Sequence, residues 1–385
     1  MSLVKKIGSG ITDYIRNTDK LLLVFCALAS VYGCLLVYSV AQTSGTGKAG
    51  YLIQFAACAA GFVLAISISK IDYELICRGW PIMAVVSLGL MALTFTSLGR
   101  NVAGTDDTAW LTLPLGPYTT TFQPAELLKI VFIVTFAKHL TAVHDHINRP
   151  LTVLLLCLHA MLPIGLVFLQ GDYGTALVFI FIFVCMLFAG GLRPLYFLIG
   201  LIGVTAAVPV LWQVIGEDKR DRILSLIFVD DYVSTTGWQQ YLGIMAIGSG
   251  QLWGVGYMEG GDHQVYARNN DFIFTVAGEE FGFVGALAVV VILLGVVLAI
   301  MRDAIHAKDR LGMLLCTGMM ALIGFQSIIN SGMTLRLVPV IGITLPFFSA
   351  GGSSVATLYL GIGLVLSVCY SSRTRVQNTI FVKKV

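Results

Sequence analysis

Long apolar runs are the feature that most constrains this chain. About ten segments of roughly 20 residues are apolar, which is the length that a helix needs to cross about 30 Å of hydrocarbon. Charged residues make up 12% of the chain and hydrophobic residues 57%, whereas a soluble protein carries about 25% charged residues. The sequence therefore predicts an all-α polytopic membrane protein and excludes a soluble enzyme. The predicted spans are 20–42, 50–69, 79–98, 123–141, 150–169, 173–191, 194–215, 272–301, 311–332 and 353–372.

The distribution of lysine and arginine predicts the orientation of these spans. Cytoplasmic loops carry an excess of basic residues, and most of the basic residues here fall in the loops on the side of the two termini. We therefore expect both termini in the cytoplasm, and the basic bias needs no nucleic-acid partner. The basic residues predicted to lie outside are Lys48, Arg100, Lys219, Arg220, Arg222, Arg268 and Arg336.

The longest predicted outer segment, 216–271, lies between the seventh and eighth spans. It contains two short apolar stretches, 222–228 and 241–247, which are typical of helices that lie at a membrane surface. A roof over an outward-facing cavity is one interpretation. Helices that only pack on their neighbours are the other.

Two further outer segments are rich in polar residues, glycine and proline. Segment 99–122 holds Asp106, Asp107, Trp110 and Pro114, and segment 333–352 holds two prolines and a pair of adjacent glycines. The three outer segments could converge on one extracytoplasmic site. We find no repeat, linker or low-complexity tract, so residues 1–385 are expected to form a single integral membrane domain.

Ionisable residues inside spans are costly and are therefore functional candidates. Glu126 and Lys129 are three residues apart at the start of the fourth span, where they either form an internal ion pair or meet a substrate. Glu279 and Glu280 lie about 12 to 13 Å deeper than Asp271 along the eighth helix, and only one of the two can face a given partner. Asp271 begins that helix and could be merely a capping or first-turn acid.

The eight cysteines are expected to be small core residues, because they lie in or beside apolar runs with no metal-ligand spacing. No metal site is predicted from the sequence. A divalent cation such as Mg²⁺ or Mn²⁺ stays open as a cofactor.

Six motifs, in order along the chain, resemble the SEDS family of RodA, FtsW and SpoVE type. Residues 122–129 (FQPAELLK) are similar to the family's FQPSE-x-x-K, and 171–175 (GDYGT) to P-D-L-G-T. Residues 237–239 (GWQ) and 246–250 (AIGSG) resemble G-Y-Q and A-I-G-S-G. Residues 270–280 (NDFIFTVAGEE) resemble T-D-F-I-F followed by the E-E pair, and 330–353 resemble N-I-G-M and the L-L-P-V-T-G-I-P-L-P-F-x-S-Y-G-G-S segment.

The resemblance implies a peptidoglycan glycosyltransferase that polymerises lipid II at the outer face of the bacterial cytoplasmic membrane. It implies inverting transfer from an undecaprenyl-pyrophosphate-linked donor to a growing glycan strand, with a class B penicillin-binding protein as partner. Asp271 matches the family's essential aspartate and is the expected general base. The expected substrate-binding or supporting residues are Glu126, Lys129, Gln123, Trp110, Asp172, Arg222, Gln239, Ser249, Glu279, Glu280, Asn330, Arg336 and Ser349.

The chain also departs from the family pattern near these positions. Ala109 stands where a basic residue precedes the tryptophan, Leu242-Gly243 replaces a Gln-Ser pair, and Asn270 replaces a threonine. Arg336 replaces a glycine, and its charge is expected to compensate for Ala109. In addition, Thr344 replaces a proline and Ala350 replaces a tyrosine.

Two other function classes compete with the polymerase. A flippase or transporter of lipid-linked precursors would use Glu279, Glu280 and Lys129 as pathway residues, and its sequence should show an internal repeat or broken helices in both halves. A catalytically silent scaffold for a transpeptidase would explain the departures. The motifs do not separate roles in elongation, division and sporulation.

Overall fold

The computed structural model describes residues 16–43, 49–100, 108–115, 118–232, 235–261, 263 and 265–382. The chain termini, Lys48, Asp106 and Asp107 lie outside the described residues, so their predicted positions are not tested. The helices are α1 (Lys20–Thr43), α2 (Ala49–Ser69), α3 (Tyr73–Arg78), α4 (Trp80–Leu93), α5 (Pro124–Ala142), α6 (Pro150–Leu169), α7 (Tyr173–Ala189), α8 (Pro194–Val214), α9 (Glu217–Ile227), α10 (Val229–Tyr232), α11 (Trp238–Ser249), α12 (Ile273–Ile305), α13 (Arg310–Thr334) and α14 (Gly352–Val382).

Each predicted span coincides with one of these helices, which confirms the all-α polytopic fold. Helices α1, α2, α6, α12, α13 and α14 are long and apolar enough to cross a membrane, while α4, α7 and α8 are apolar over shorter lengths. Helix α5 occupies the remaining predicted span and carries Glu126 and Lys129. Helix α4 ends at Leu93, earlier than predicted, because the chain then leaves the helix through a series of turns.

The helices pack into one bundle, in which α5, α13 and α14 are the most deeply buried long helices. Helices α2 and α14 form the most extensive contact, and small residues allow them to approach closely. A Cβ atom on Gly61 of α2 would lie 2.6 Å from the ring of Tyr359 on α14. Helix α13 packs against α7 and α12, and α12 packs against α1.

Helix α8 contrasts with this bundle. In the part of the chain that the structure describes, it makes no extensive contact with another helix, and most of its apolar side chains are exposed. Lipid is the natural cover for such a surface in a membrane protein. The exposed residues are Leu195, Leu198, Ile199, Leu201, Ile202, Val204, Val208 and Val210.

Helix α12 is broken at Gly282, which has φ 64° and ψ −159°. The amides of Phe283 and Val284, freed by the break, donate to the carbonyls of Gln251 and Leu252 at 2.8 and 3.3 Å. On the other side of the break, the carbonyls of Glu279 and Glu280 accept from Val255 and Gly256 at 2.9 and 3.3 Å. Segment 251–256 thus replaces the missing helical hydrogen bonds. Irregular backbone at membrane depth requires such pairing within the protein.

Two segments that were predicted to lie outside have regular structure. Within segment 99–122, the described residues form an antiparallel sheet of β1 (Gly99–Arg100), β2 (Trp110–Leu115) and β3 (Tyr118–Phe122), in which Leu111 pairs with Phe122. The sequence indicated only an irregular loop here. Segment 216–271 contains the two predicted short helices, α9 and α11, and also the short helix α10, which was not predicted. Helix α11 packs on α12.

Candidate active site

Asp271 lies in a tight turn immediately before α12. The amides of Asn270 and Phe272 both donate to the carbonyl of Ala267, at 3.0 and 3.3 Å, and Ala267 has φ 55°. The Asp271 side chain is enclosed but still partly reachable. Among the described residues, no hydrogen-bond donor contacts its carboxylate, so this group remains available to a ligand.

The surroundings of Asp271 disfavour its charged form. Burial raises the pKa of Asp271 to about 6, and the neighbouring Asp172 carboxylate contributes to this rise in pKa. A carboxylic acid with a pKa near 6 is mostly ionised at neutral pH. It is also a stronger base than an ordinary aspartate, as a general base requires.

Asp172 is held at the start of α7 by two donors. Its Oδ1 accepts from the backbone amide of Thr175 at 2.9 Å, which is the capping bond of the helix. Its Oδ2 accepts from Nε2 of Gln123 at 2.9 Å. Burial raises the pKa of Asp172, against the opposing effects of the Thr175 hydrogen bonds and of Lys129. Both carboxylate oxygens of Asp172 therefore already accept hydrogen bonds, unlike those of its neighbour Asp271.

Glu126 and Lys129 form the ion pair that their spacing predicts. The Lys129 ammonium lies 2.8 Å from Oε1 of Glu126, and both residues are buried. Pro124 is the first residue of α5, so the pair lies in its first turns. The charges of both act on Asp172, which places the pair in the same cluster.

Segment 333–352 closes the cluster from another side. A Cβ atom on Gly174 of α7 would lie 2.2 Å from the carbonyl of Ile341, so only glycine allows this approach. Gly342 has φ 69°, and a Cβ atom there would lie 3.8 Å from Oδ2 of Asp271. Segment 333–352 therefore meets the starts of α7 and α12 at one point.

Asn330 and Ser349 bind the turn that carries Asp271. Nδ2 of Asn330 donates to the carbonyls of Asp271 and Ile343 at 2.8 and 2.7 Å. The Ser349 hydroxyl donates to the carbonyl of Asn270 at 2.7 Å and accepts from the amide of Leu345 at 2.7 Å. Both residues were among the predicted supporting residues, and both contact backbone near Asp271.

Helices α9 and α11 cover segment 333–352. Nη1 of Arg222 lies 3.4 Å from the carbonyl of Val340, and Nη2 of Arg336 lies 3.3 Å from the carbonyl of Ser225. On α11, Gln240 donates to the carbonyls of Met333 and Val338 at 2.8 and 2.9 Å. The sequence had favoured Gln239, and no pattern distinguished the two glutamines.

Three predicted site residues lie apart from these contacts. Ser249 donates to the carbonyl of Ala246 on its own helix, at 2.7 Å. Among the described residues, no hydrogen bond or ring contact joins Trp110 or Gln239 to Asp271. Their roles at the site remain predictions.

The Glu279 and Glu280 carboxylates contact segment 250–268 and Ser39 of α1, and they do not belong to the Asp271 cluster. Glu279 pairs with Arg268 and accepts from the amide of Gly261 at 3.1 Å. Glu280 accepts from the Ser39 hydroxyl at 2.5 Å and from the amide of Met258 at 3.4 Å. As expected for adjacent helical residues, the two have different partners. No pattern in the sequence indicated Arg268 as a partner.

Lys219 is a cation near the cluster that the sequence did not single out. Its ammonium lies 3.7 Å from the ring centroid of Tyr173, the residue after Asp172. Such a cation–π contact holds a charge without neutralising it. The only signal in the sequence was its place in an outer segment.

These contacts bring together the motif residues of four separate segments, and comparisons with known proteins agree with the motifs. The family profile for cell cycle proteins of FtsW, RodA and SpoVE type matches residues 19–374.

The chain belongs to this family.

Among relatives of this FtsW/RodA/SpoVE protein is the "Probable peptidoglycan glycosyltransferase FtsW" of Geobacter sulfurreducens, which is 31% identical over 92% of this chain and 95% of its own. Stage V sporulation protein E of Bacillus subtilis is 27% identical over 93% of this chain and 98% of its own.

Solved structures show the same fold. A chain from work on the structural coordination of polymerization and crosslinking by a peptidoglycan synthase complex superposes with a TM-score of 0.76, at 27% identity, covering 92% of this chain and 98% of that one. The rod shape determining protein RodA of Thermus thermophilus superposes with a TM-score of 0.66, at 26% identity, covering 91% and 96%. The protein is a multi-pass protein of the bacterial cytoplasmic membrane.

The described residues of this family member hold no group of three potential metal ligands. Both Asp172 oxygens are occupied by protein donors, which leaves Asp271 as the free carboxylate beside it. A cage of protein oxygens for Mg²⁺ or Mn²⁺ is therefore not formed by these residues.

Proposed function

We propose that this protein polymerises lipid II into glycan strands by inverting glycosyl transfer from an undecaprenyl-pyrophosphate-linked donor. The observation that carries the proposal is the Asp271 carboxylate, which is reachable, has no donor among the described residues, and lies where α5, α7, α12 and segment 333–352 meet. The names of the relatives support the same reaction. The substrates are lipid II and the nascent strand.

Asp271 acts as general base in this reaction. The 4-hydroxyl of the GlcNAc on one lipid II attacks the anomeric carbon of the MurNAc at the end of the growing chain. The bond from that carbon to the pyrophosphate breaks, and the hydroxyl proton passes to Asp271. An ionised carboxylate with a pKa near 6 can accept this proton at neutral pH.

Basic side chains on α9 and segment 333–352 stabilise the leaving pyrophosphate. Among the described residues, Arg222 and Arg336 bind only backbone carbonyls, and Lys219 contacts an aromatic ring. All three keep their positive charge for a phosphate group. Lys129 is neutralised by Glu126, so its role is to hold the start of α5.

We place the site at the outer membrane face and both termini in the cytoplasm, in agreement with the distribution of basic residues. The whole chain acts as one membrane domain. A class B penicillin-binding protein is the proposed partner, which the solved relative from a peptidoglycan synthase complex supports. The role in elongation, division or sporulation stays open.

The broken helix α12 is the one feature that would favour a transporter. Its freed backbone groups are paired with segment 251–256, and Glu279 and Glu280 are bound by protein groups. These contacts fill the break and pair the polar groups that a transport pathway would leave free. A catalytically silent scaffold would not require a free carboxylate at Asp271.

The test is polymerisation of labelled lipid II by the purified protein, with and without its transpeptidase partner. We expect glycan strands from the wild type and a loss of at least about 100-fold for Asp271→Asn, the lower range for a general base. Equal activity of the two proteins would exclude Asp271 as the base. No product from either, with the partner and divalent cations present, would favour the scaffold or the transporter.

A further inference from the structure

Asn330 is a fully enclosed polar side chain near Asp271. It lies on α13 with 0% of its surface exposed. Both hydrogens of its amide group are used, one on the carbonyl of Asp271 and one on the carbonyl of Ile343. A single side chain thus links the turn before α12 to segment 333–352.

The other end of the same amide is unpaired. Oδ1 of Asn330 is buried and has no hydrogen-bond partner among the described residues. A buried acceptor without a partner destabilises the folded state. An apolar side chain of similar size would avoid this cost, so packing alone does not account for asparagine. The two donors are the property that an apolar residue would lack.

Both carbonyls that Asn330 binds lie next to the proposed reaction site. Asp271 carries the free carboxylate, and Ile343 comes directly after Gly342, whose backbone approaches that carboxylate. Asn330 therefore fixes the separation between the base and the backbone opposite it. A donor at only one of these carbonyls would leave that separation free to vary.

Ser349 holds the carbonyl of Asn270, the residue before Asp271, in a similar way. Its hydroxyl links the carbonyl of Asn270 to the amide of Leu345, at 2.7 Å in each case, and it is also buried. The amide of Ala350 donates to the carbonyl of Asn269 at 2.7 Å. The carbonyls of residues 269, 270 and 271 are therefore all held by α13 and the segment after it.

We infer that Asn330, supported by Ser349, is a positioning residue that sets the reactive geometry of Asp271. The inference rests on the proposed function. Asn330 acts through the backbone of Asp271 and does not touch the sugar or the pyrophosphate. Its loss should therefore slow the chemical step and leave substrate binding unchanged.

The experiment measures kcat and KM for lipid II polymerisation by Asn330→Ala, Ser349→Ala and wild type. A displacement of the base by about 1 Å lowers the rate by about 100-fold. We expect kcat to fall about 10- to 100-fold in Asn330→Ala and by a smaller factor in Ser349→Ala. KM should stay within about threefold of the wild type, because neither residue contacts substrate.

Gln326→Ala is the matched control. Gln326 lies one turn earlier on α13 and is similarly buried, and it makes no hydrogen bond to residues 269–271 in the described structure. We expect its kcat to equal that of the wild type. Thermal unfolding in detergent shows which variants fold, and Ser349→Ala carries the test if Asn330→Ala does not.

Either of two results would overturn the inference while the wild type remains active. One is an unchanged kcat in the folded Asn330→Ala protein, or in folded Ser349→Ala if Asn330→Ala does not fold. The other is an equal loss in Gln326→Ala. An inactive wild type would instead contradict the proposed function, so the two failures are distinguishable.

Discussion

Glu279 and Asp271 are carboxylates with opposite surroundings. Glu279 and Glu280 are saturated by Arg268, Ser39 and backbone amides. The Asp271 carboxylate receives no donor from the described residues, although the backbone that carries it is fixed. Saturated carboxylates stabilise the fold, whereas an unsaturated carboxylate on fixed backbone is available for chemistry.

The comparison predicts its largest effect at Glu279. Glu279→Gln leaves the Arg268 guanidinium buried without its anion, which costs about 3–5 kcal/mol. Glu280→Gln should cost less than about 1.5 kcal/mol, because its partners are a hydroxyl and an amide. Thermal unfolding in detergent measures both changes.

Asp271→Asn is the control for these two variants, because it neutralises a carboxylate that has no described donor. Because burial and Asp172 disfavour the charge of Asp271, the neutral asparagine should unfold at a temperature no lower than that of the wild type, although activity is lost. Equal destabilisation in all three variants would contradict the division into saturated and available carboxylates.

The next largest effect is expected at the break in α12. Gly282→Ala puts a methyl group 2.4 Å from the amide nitrogen of Gly254, at a φ and ψ that only glycine adopts readily. We expect a loss of about 1–3 kcal/mol from the strain alone. Gly324→Ala on α13 is the control, because the added Cβ would meet only Val297 at 3.8 Å, and it should stabilise the helix slightly. Similar unfolding temperatures for both variants would disprove the role of Gly282.

A smaller effect is expected from pH. A general base must be deprotonated, so polymerisation should rise with pH through the Asp271 pKa of about 6 and at pH 5 should be about one tenth of its plateau. Asp172→Asn removes a negative charge that raises this pKa. Its midpoint should therefore lie at lower pH than that of the wild type. A flat profile between pH 5 and 7 would contradict Asp271 as the base.

Arg336 is expected to show the smallest effect. It has φ 58°, in the left-handed region that favours glycine, which explains why the family pattern has glycine at this position. Arg336→Gly should remove strain of about 1–2 kcal/mol and raise the unfolding temperature. Arg336→Ala removes the charge and keeps the strain.

The two variants separate charge from backbone strain. If the charge stabilises pyrophosphate, both should lower polymerisation by up to about fivefold, the size of an exposed ion pair. Undiminished polymerisation by Arg336→Ala would refute the hypothesis that Arg336 compensates for Ala109.

Composition and local spacing were enough to predict the spans and one contact of the site. Hydrophobic runs indicated the spans, and the spacing of Glu126 and Lys129 predicted their ion pair. The family resemblance predicted Asp271. The break at Gly282 was not predictable, because a glycine within an apolar run has no local sign of its conformation. The Arg268–Glu279 pair depends on how segment 216–271 folds back onto the bundle, which tertiary packing decides.

The pairing of segment 251–256 with the broken helix is made by main-chain atoms alone. Every amino acid other than proline offers the same amide and carbonyl, so the identities of exposed Leu252 and Trp253 are not specified by this pairing. The pairing instead requires that two positions have no side chain, since a Cβ atom on Gly254 or Gly282 would clash with backbone atoms. Relatives can therefore differ widely along this segment and keep the same broken helix, provided that the two glycines remain.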